Sequence, residues 1–225
     1  MEVFPDRAAA GRRLAEELSR YRGRDVLVLG LPRGGVPVAA EVARSLGAPL
    51  DVLVVRKLGV PYQPELAFGA IGEAPDGHDV VRVHNKALLD RIRLSADQIA
   101  AVEAAEREEL YRRLDRYRGG REGLKLAGRV VIIVDDGFAT GATARAAALV
   151  ARAGGAATVV LAAPIGAPDT VAALREVADD VICVGVPWHF TAVGQGYRDF
   201  SQTSDDEVCA LLAQARRDRP DGGGS

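Results

Sequence analysis

Apolar residues in this chain follow two rhythms. Residues 26–29, 50–55, 130–134, 158–164 and 181–186 are short, nearly unbroken runs made mostly of Val, Ile, Leu and Ala. Lacking polar alternation, they predict strands buried on both faces, as in a parallel sheet. Between them apolar positions recur at helical spacing. Residues 7–20 carry Leu14 and Leu18 with Ala8 and Ala15 behind a potential cap at Asp6, and 36–46 end at Gly47. A long helix over about 96–118 opens on the capping box Ser95-Ala96-Asp97-Gln98 and stops at Gly119-Gly120. Its stripe of Ile99, Val102, Leu110, Leu114 and Tyr117 predicts packing on the core first, and contact with a second subunit, a homodimer, second. Further helices are expected at 144–153 and 171–178, and a last one to about residue 216 behind a second capping box, Ser204 to Glu207.

Strand and helix in alternation predict an α/β fold, a doubly wound and mainly parallel sheet of about five strands. Residues 66–71 and 80–83, around the turn Ala74-Pro75-Asp76-Gly77-His78, read as an antiparallel flap spanning about 58–84. Residues 187–203 are irregular and rich in aromatics and glycine, a hood beyond the last strand. One domain over 1–217 with a disordered tail at 218–225 accounts for the whole length.

Composition narrows the partners. Net charge is −2, and the arginines are interleaved with acids, so no basic face for nucleic acid is evident. No apolar run approaches bilayer length and the first residues lack a signal-peptide pattern, so neither membrane nor export is expected. Cys183 and Cys209 stand alone without C-x-x-C spacing, which suits a reducing cytoplasm. His78 and His84 have no ligand-spaced partner and read as surface residues; Asp179 and Asp180 precede the last strand and read as solvated.

Candidate chemistry gathers at strand ends. The run 130–134 terminates in Asp135 and Asp136, beyond which Phe138, Ala139, Thr140, Gly141, Ala142 and Thr143 lead into an Ala-rich helix. Ligands of open α/β sheets sit beyond the carboxyl ends of strands, where such a loop aims backbone N–H groups at one spot. Acids beside a phosphate cradle suit a sugar phosphate, its hydroxyls on the carboxylates. A Walker B strand is the near rival, but no G-x-x-x-x-G-K-[ST] accompanies it. The plain alternative is a buried strand and a Gly turn with Thr140 as helix cap. A second strand ends in Pro32, Arg33, Gly34 and Gly35, a cation flanked by Pro and two glycines. The third, 50–55, ends in Arg56 and Lys57, followed by 59–64 with two prolines and a glycine, read as a mobile connection. The plain alternative for these cations is a surface arginine on a βα turn and a solvated strand end.

In V-V-I-I-V-D-D-G-F-A-T-G-A-T, residues 130–143, the chain resembles the type I phosphoribosyltransferases. The resemblance implies transfer of the phosphoribosyl group of phosphoribosyl pyrophosphate to a nitrogen acceptor, a nucleobase, with release of pyrophosphate. It implies that Asp135 and Asp136 hold the ribose hydroxyls and that Phe138 to Thr143 bind the 5′-phosphate. Pro32, Arg33, Gly34 and Gly35 become the pyrophosphate loop, with a cis peptide between Pro32 and Arg33. Arg56 and Lys57 also meet pyrophosphate, in a segment that closes over the site. Mg2+ comes with the substrate, touching no protein ligand unless Asp135 or Asp136. Gly137 stands where a branched aliphatic is commoner, which would loosen the loop. Ala139 replaces the acid of 6-oxopurine members, which disfavours hypoxanthine and guanine. Trp188, His189 and Phe190 of the hood would receive the acceptor by stacking, with Asp199 as a polar partner; the plain alternative is that these aromatics cap the sheet's end as core. Arg198, in a segment resembling one that carries a pyrophosphate-facing arginine, is a candidate for either ligand. Two other readings stay open. A non-catalytic regulator would bind the same cosubstrate without turnover; a hydrolase would use Asp135 as nucleophile, but the D-x-D spacing and an activating partner are missing.

Overall fold

The computed structural model describes residues 3–73, 79–92, 94–121, 123 and 125–218. Five strands, β1 (Val26–Gly30), β2 (Leu50–Val52), β6 (Val130–Val134), β7 (Thr158–Ile165) and β8 (Asp180–Gly185), pair in the order β2-β1-β6-β7-β8, every pair parallel. Three more, β3 (Val55–Val60), β4 (Gln63–Glu73) and β5 (Val80–His84), form an antiparallel flap. Alternation along the buried strands sorts side chains to two faces. Val28, Ile132, Val134 and Val160 pack with α1 (Arg7–Glu17), α2 (Gly35–Leu46) and α7 (Asp205–Arg217). Leu27, Leu29, Ile133 and Leu161 pack with α5 (Ala142–Ala153) and α6 (Pro168–Leu174). A short helix α3 (Lys86–Ile92) leads from the flap to α4 (Ala96–Arg118). The chain leaves β1 toward β2 on one side and returns through β6 on the other. The carboxyl ends of β1 and β6, paired with Gly30 opposite Val134, thus form the topological switch point where such sheets bind ligands.

The flap differs from expectation at its start. The run 50–55 is not one strand, because Asp51 and Val52 end the main sheet and Val55 already belongs to β3, so Arg56 and Lys57 lie in the flap and not at a strand end. Residues 59–64 are a tight hairpin, Val60 pairing with Gln63 across Pro61-Tyr62, and not an open connection. The turn 74–78, His78 with it, and the tail from 219 on lie outside the described residues. The flap lies between two helices. Val55, Val81 and Val83 face the cluster of α5, while Leu58, Phe68 and Ile71 join Leu110, Leu114 and Tyr117 of α4. Gly72 permits the α5 approach, since an added Cβ would lie 2.5 Å from Val150 Cγ1. The α4 stripe is therefore used within the subunit.

Both predicted helix starts form: Ser95 and Gln98 cap each other's backbone, while Ser204 accepts only from Glu207 N. Asp179 and Asp180 are more than solvated. Asp179 accepts from Val159 N at 2.7 Å and pairs with Arg152, and Asp180 receives the Tyr21 hydroxyl at 2.6 Å and pairs with Arg20.

At the end of α4, Arg118 is 6% exposed and binds Asp51 of β2 (3.2 Å), the Val52 carbonyl (3.2 Å) and Glu73 of β4. It joins the main sheet, the flap and α4. Removing one partner of such a triad strands buried charge, at about 3–5 kcal/mol. R118A should lower the melting temperature by roughly 6–20 °C at ~2–4 °C per kcal/mol. Adding D51N and E73Q should restore part of it in thermal denaturation; a loss under about two degrees for R118A would contradict this role.

Candidate functional site

Both carboxylates of the acid pair stand at the carboxyl end of β6, half-buried. Asp135 Oδ1 accepts from Asp136 N at 2.9 Å, and Asp136 Oδ2 accepts from Arg7 Nε and Nη2 at 2.9 and 2.8 Å. Arg7 opens α1; its other Nη reaches the Ser201 carbonyl at 2.7 Å, and its guanidinium lies 4.1 Å from the Phe200 ring centroid. Desolvation, and then the neighbouring Asp136 charge, push the Asp135 carboxyl well above the usual range. Desolvation pushes Asp136 up too, and Arg7 opposes it through a hydrogen bond and its charge.

The 32–35 loop meets this pair at van der Waals limits. A Cβ on Gly34 would collide with Asp136 Oδ2, and one on Gly35 would lie 2.5 Å from the Val134 carbonyl oxygen. Only glycine fits either place. The Pro32–Arg33 peptide is cis, as the resemblance implied. Arg33 lines a pocket with Arg112, Arg113 and Arg116 of α4, and its charge is felt at Tyr117.

Beyond the acids Phe138 is buried and pinned by its backbone to Ile165 and Ala167. Ala139, Thr140, Ala142 and Thr143 lie at or near the surface. The cap of α5 is Gly141, left-handed at φ 69°, and not Thr140. It offers no side chain, and Thr140 Oγ1 reaches Ala142 N only at 3.4 Å. The first-turn N–H groups of α5 are therefore open to an anion. Gly137 does not loosen the loop: Val193 of the hood fills its place, and a Cβ there would collide with Val193 Cγ1.

The hood arrives through Tyr197, buried, whose hydroxyl donates to the Asp136 carbonyl at 2.6 Å. Phe4 pairs with the hood on both sides of Tyr197, through Gly196 and Arg198. Of the expected acceptor residues, Phe190 packs into the Phe4, Ala10, Ile165 and Tyr197 cluster, whereas Trp188 is 91% exposed and His189 is exposed. Arg198 is exposed, and Asp199 turns back to accept from Ser201 N at 2.9 Å. Arg56 is bound to Glu106 of α4 at 2.6 Å, and Lys57 shares its strand. Neither Arg7 nor Tyr197 was anticipated. Both reach the acids across long sequence separations. Among the described residues no group of three or more His, Cys, Asp or Glu side chains could hold a metal, and no helix is long and apolar enough to cross a membrane.

Comparison with known proteins adds three findings. Residues 3–198 match the family described as "Phosphoribosyl transferase domain". "Putative phosphoribosyl transferase Rv0571c" of Mycobacterium tuberculosis (strain ATCC 25618 / H37Rv) is 59% identical over 223 residues, 99% of this chain and 49% of that protein. The chain thus spans about half the length of the curated relatives it matches. A crystal structure of TT1426 from Thermus thermophilus superposes with a TM-score of 0.83 at 42% identity, covering 95% of this chain and 99% of that one.

The raised carboxyl pKa values have a thermodynamic consequence. Between the ordinary carboxylate pKa of about 4 and the higher folded value, the native protein retains a proton that the unfolded chain loses, so stability falls as pH rises. D135N should remove this penalty, and its melting temperature should gain on wild type as pH goes from about 5 to about 8. R7Q, which takes away the countercharge, should fall further below wild type over the same range. Parallel pH profiles for the three proteins would contradict the assignment.

Proposed function

The chain belongs to the phosphoribosyl transferase domain family, and from that membership we propose that it transfers the 5-phosphoribosyl group of phosphoribosyl pyrophosphate to a nitrogen acceptor, releasing pyrophosphate. The observation that carries the reading is the acid pair set between the glycine-capped start of α5 and a double-glycine loop in contact with it. In this reading ribose hydroxyls donate to Asp135 and Asp136, and the 5′-phosphate accepts from the N–H groups of residues 140–143. Pyrophosphate lies along the backbone of Pro32, Arg33, Gly34 and Gly35. Arg7 fixes Asp136 through two hydrogen bonds and opposes the rise of its pKa. The bond from the anomeric carbon to pyrophosphate oxygen breaks, one to the acceptor nitrogen forms, and the acceptor's proton passes to solvent or the leaving group. The acids lie where the sugar becomes cationic, so their charge stabilises the transition state. The oxygen donors of Asp135 and Asp136 fit Mg2+, which when bound would neutralise the leaving pyrophosphate.

For the acceptor we favour a nucleobase or another planar amine, stacked on the exposed Trp188. Ala139 has no acid to handle a proton, which argues against hypoxanthine and guanine. The unpaired thiols of Cys183 and Cys209 suit a reducing cytoplasm.

With magnesium, phosphoribosyl pyrophosphate at about 100 times its dissociation constant should add ~2.7 kcal/mol, a rise of roughly 5–11 °C in melting temperature. D135N/D136N should lose that shift; an unshifted wild type at millimolar ligand would refute the substrate. Offered a panel of purines, pyrimidines and small amines with labelled cosubstrate, the protein should turn over a base other than hypoxanthine. Efficient turnover of hypoxanthine would overturn the Ala139 argument, and binding without any turnover would make the protein a sensor.

A further inference from the structure

The segment that follows β7 holds the loop after the acids by its carbonyls. Ala167 N donates to the Phe138 carbonyl at 2.9 Å, and the Thr170 hydroxyl donates to the Ala139 carbonyl at 2.6 Å. In a trans peptide the N–H points opposite to the C=O, so the N–H groups of Ala139 and Thr140 both turn away from that segment. Among the described residues neither donates to a backbone carbonyl. Successive N–H groups on one side are the donors of an anion-binding nest. Thr170 also meets the loop a second time, since a Cβ on Gly141 would lie 2.6 Å from Thr170 Cγ2. Its hydroxyl and its methyl thus stand on either side of Thr140. Thr170 is itself half-buried on α6, a helix anchored in the core by Val171 and Leu174, 5% and 2% exposed.

We infer that Thr170 is a positioning residue for the sugar's 5′-phosphate, acting through the Ala139 carbonyl and touching no ligand itself. The inference rests on the sugar-phosphate reading above and deepens it. In the sheet, β7 and β1 lie on opposite sides of β6, so N–H groups turned from the segment after β7 face the switch point. Without the hydroxyl nothing fixes the peptide between Ala139 and Thr140, and its ordering is left to be paid when the anion binds. The pyrophosphate loop is placed differently, by Gly34 against Asp136 and Gly35 against Val134, both on β6 or at its end. Loss of the hydroxyl should therefore be felt at one end of the cosubstrate only.

Calorimetric titration of wild type, T170V and T170S with ribose 5-phosphate, and separately with pyrophosphate and magnesium, tests the role. T170V keeps the methyl against Gly141 and removes only the hydroxyl. It should bind ribose 5-phosphate about three- to tenfold more weakly, the worth of one hydrogen bond, and pyrophosphate as wild type does. T170S, which restores the donor, should recover most of the loss. In wild type, ribose 5-phosphate should shift the amide resonances of Ala139 and Thr140, a readout that needs no variant. Unchanged ribose 5-phosphate affinity in T170V, equal loss of both ligands, T170S as weak as T170V, or amide shifts confined to other residues would each overturn the inference and leave the transfer reading standing. No binding of ribose 5-phosphate to wild type at millimolar concentration would instead refute the sugar-phosphate reading itself, and the inference with it.

Discussion

Two carboxylates side by side at the end of a buried strand repel each other, and the fold places a single arginine against them. Arg7 answers Asp136 from the first turn of α1, and it is held there by the Ser201 carbonyl and the face of Phe200. The N-terminal segment and the hood meet around that contact, since Phe4 and Tyr197 are paired and Tyr197 donates to the Asp136 backbone. Docking of α1, placement of the hood and the electrostatics of the acid pair are thus one arrangement. Burial raises the pKa of both carboxyls, and Arg7 opposes that rise.

The second constraint is mechanical. Flap, main sheet and α4 share Arg118, and the flap's two faces are taken up by α4 and α5. In the segment expected to close over a ligand, Arg56 pairs with Glu106 and Leu58 and Val60 join the core. The loop that does approach the acids is 32–35, where two glycines remove the side chains that contact would exclude. Pro32 and Arg33 line a pocket with arginines of α4, while Gly34 meets Asp136.

Much of this was legible in the chain. Unbroken β-branched runs marked the parallel strands, and the caps at Asp6 and Ser95 marked helix starts to the residue. The acid pair and the two glycines of 34–35 could be placed because strand ends and glycines carry local meaning. What could not be read was long-range. The run 50–55 has one hydropathy pattern but serves two sheets, because the chain leaves the main sheet after Val52 with no polar break. Arg56 looked available at a strand end, yet Glu106, fifty residues on, takes it. Arg7 and Tyr197 belong to the site by contacts that no spacing encodes, and Phe190 and Trp188, nearly adjacent, part into core and solvent.

The account rests on a sugar diol at Asp135 and Asp136 with phosphates on either side. A crystal structure with phosphoribosyl pyrophosphate and magnesium bound tests it most directly. Ribose hydroxyls within hydrogen-bond distance of both carboxylates, the 5′-phosphate against the amides of 140–143 and pyrophosphate along 32–35 are expected. A ligand bound elsewhere, or bound with its hydroxyls away from the acids, would contradict it.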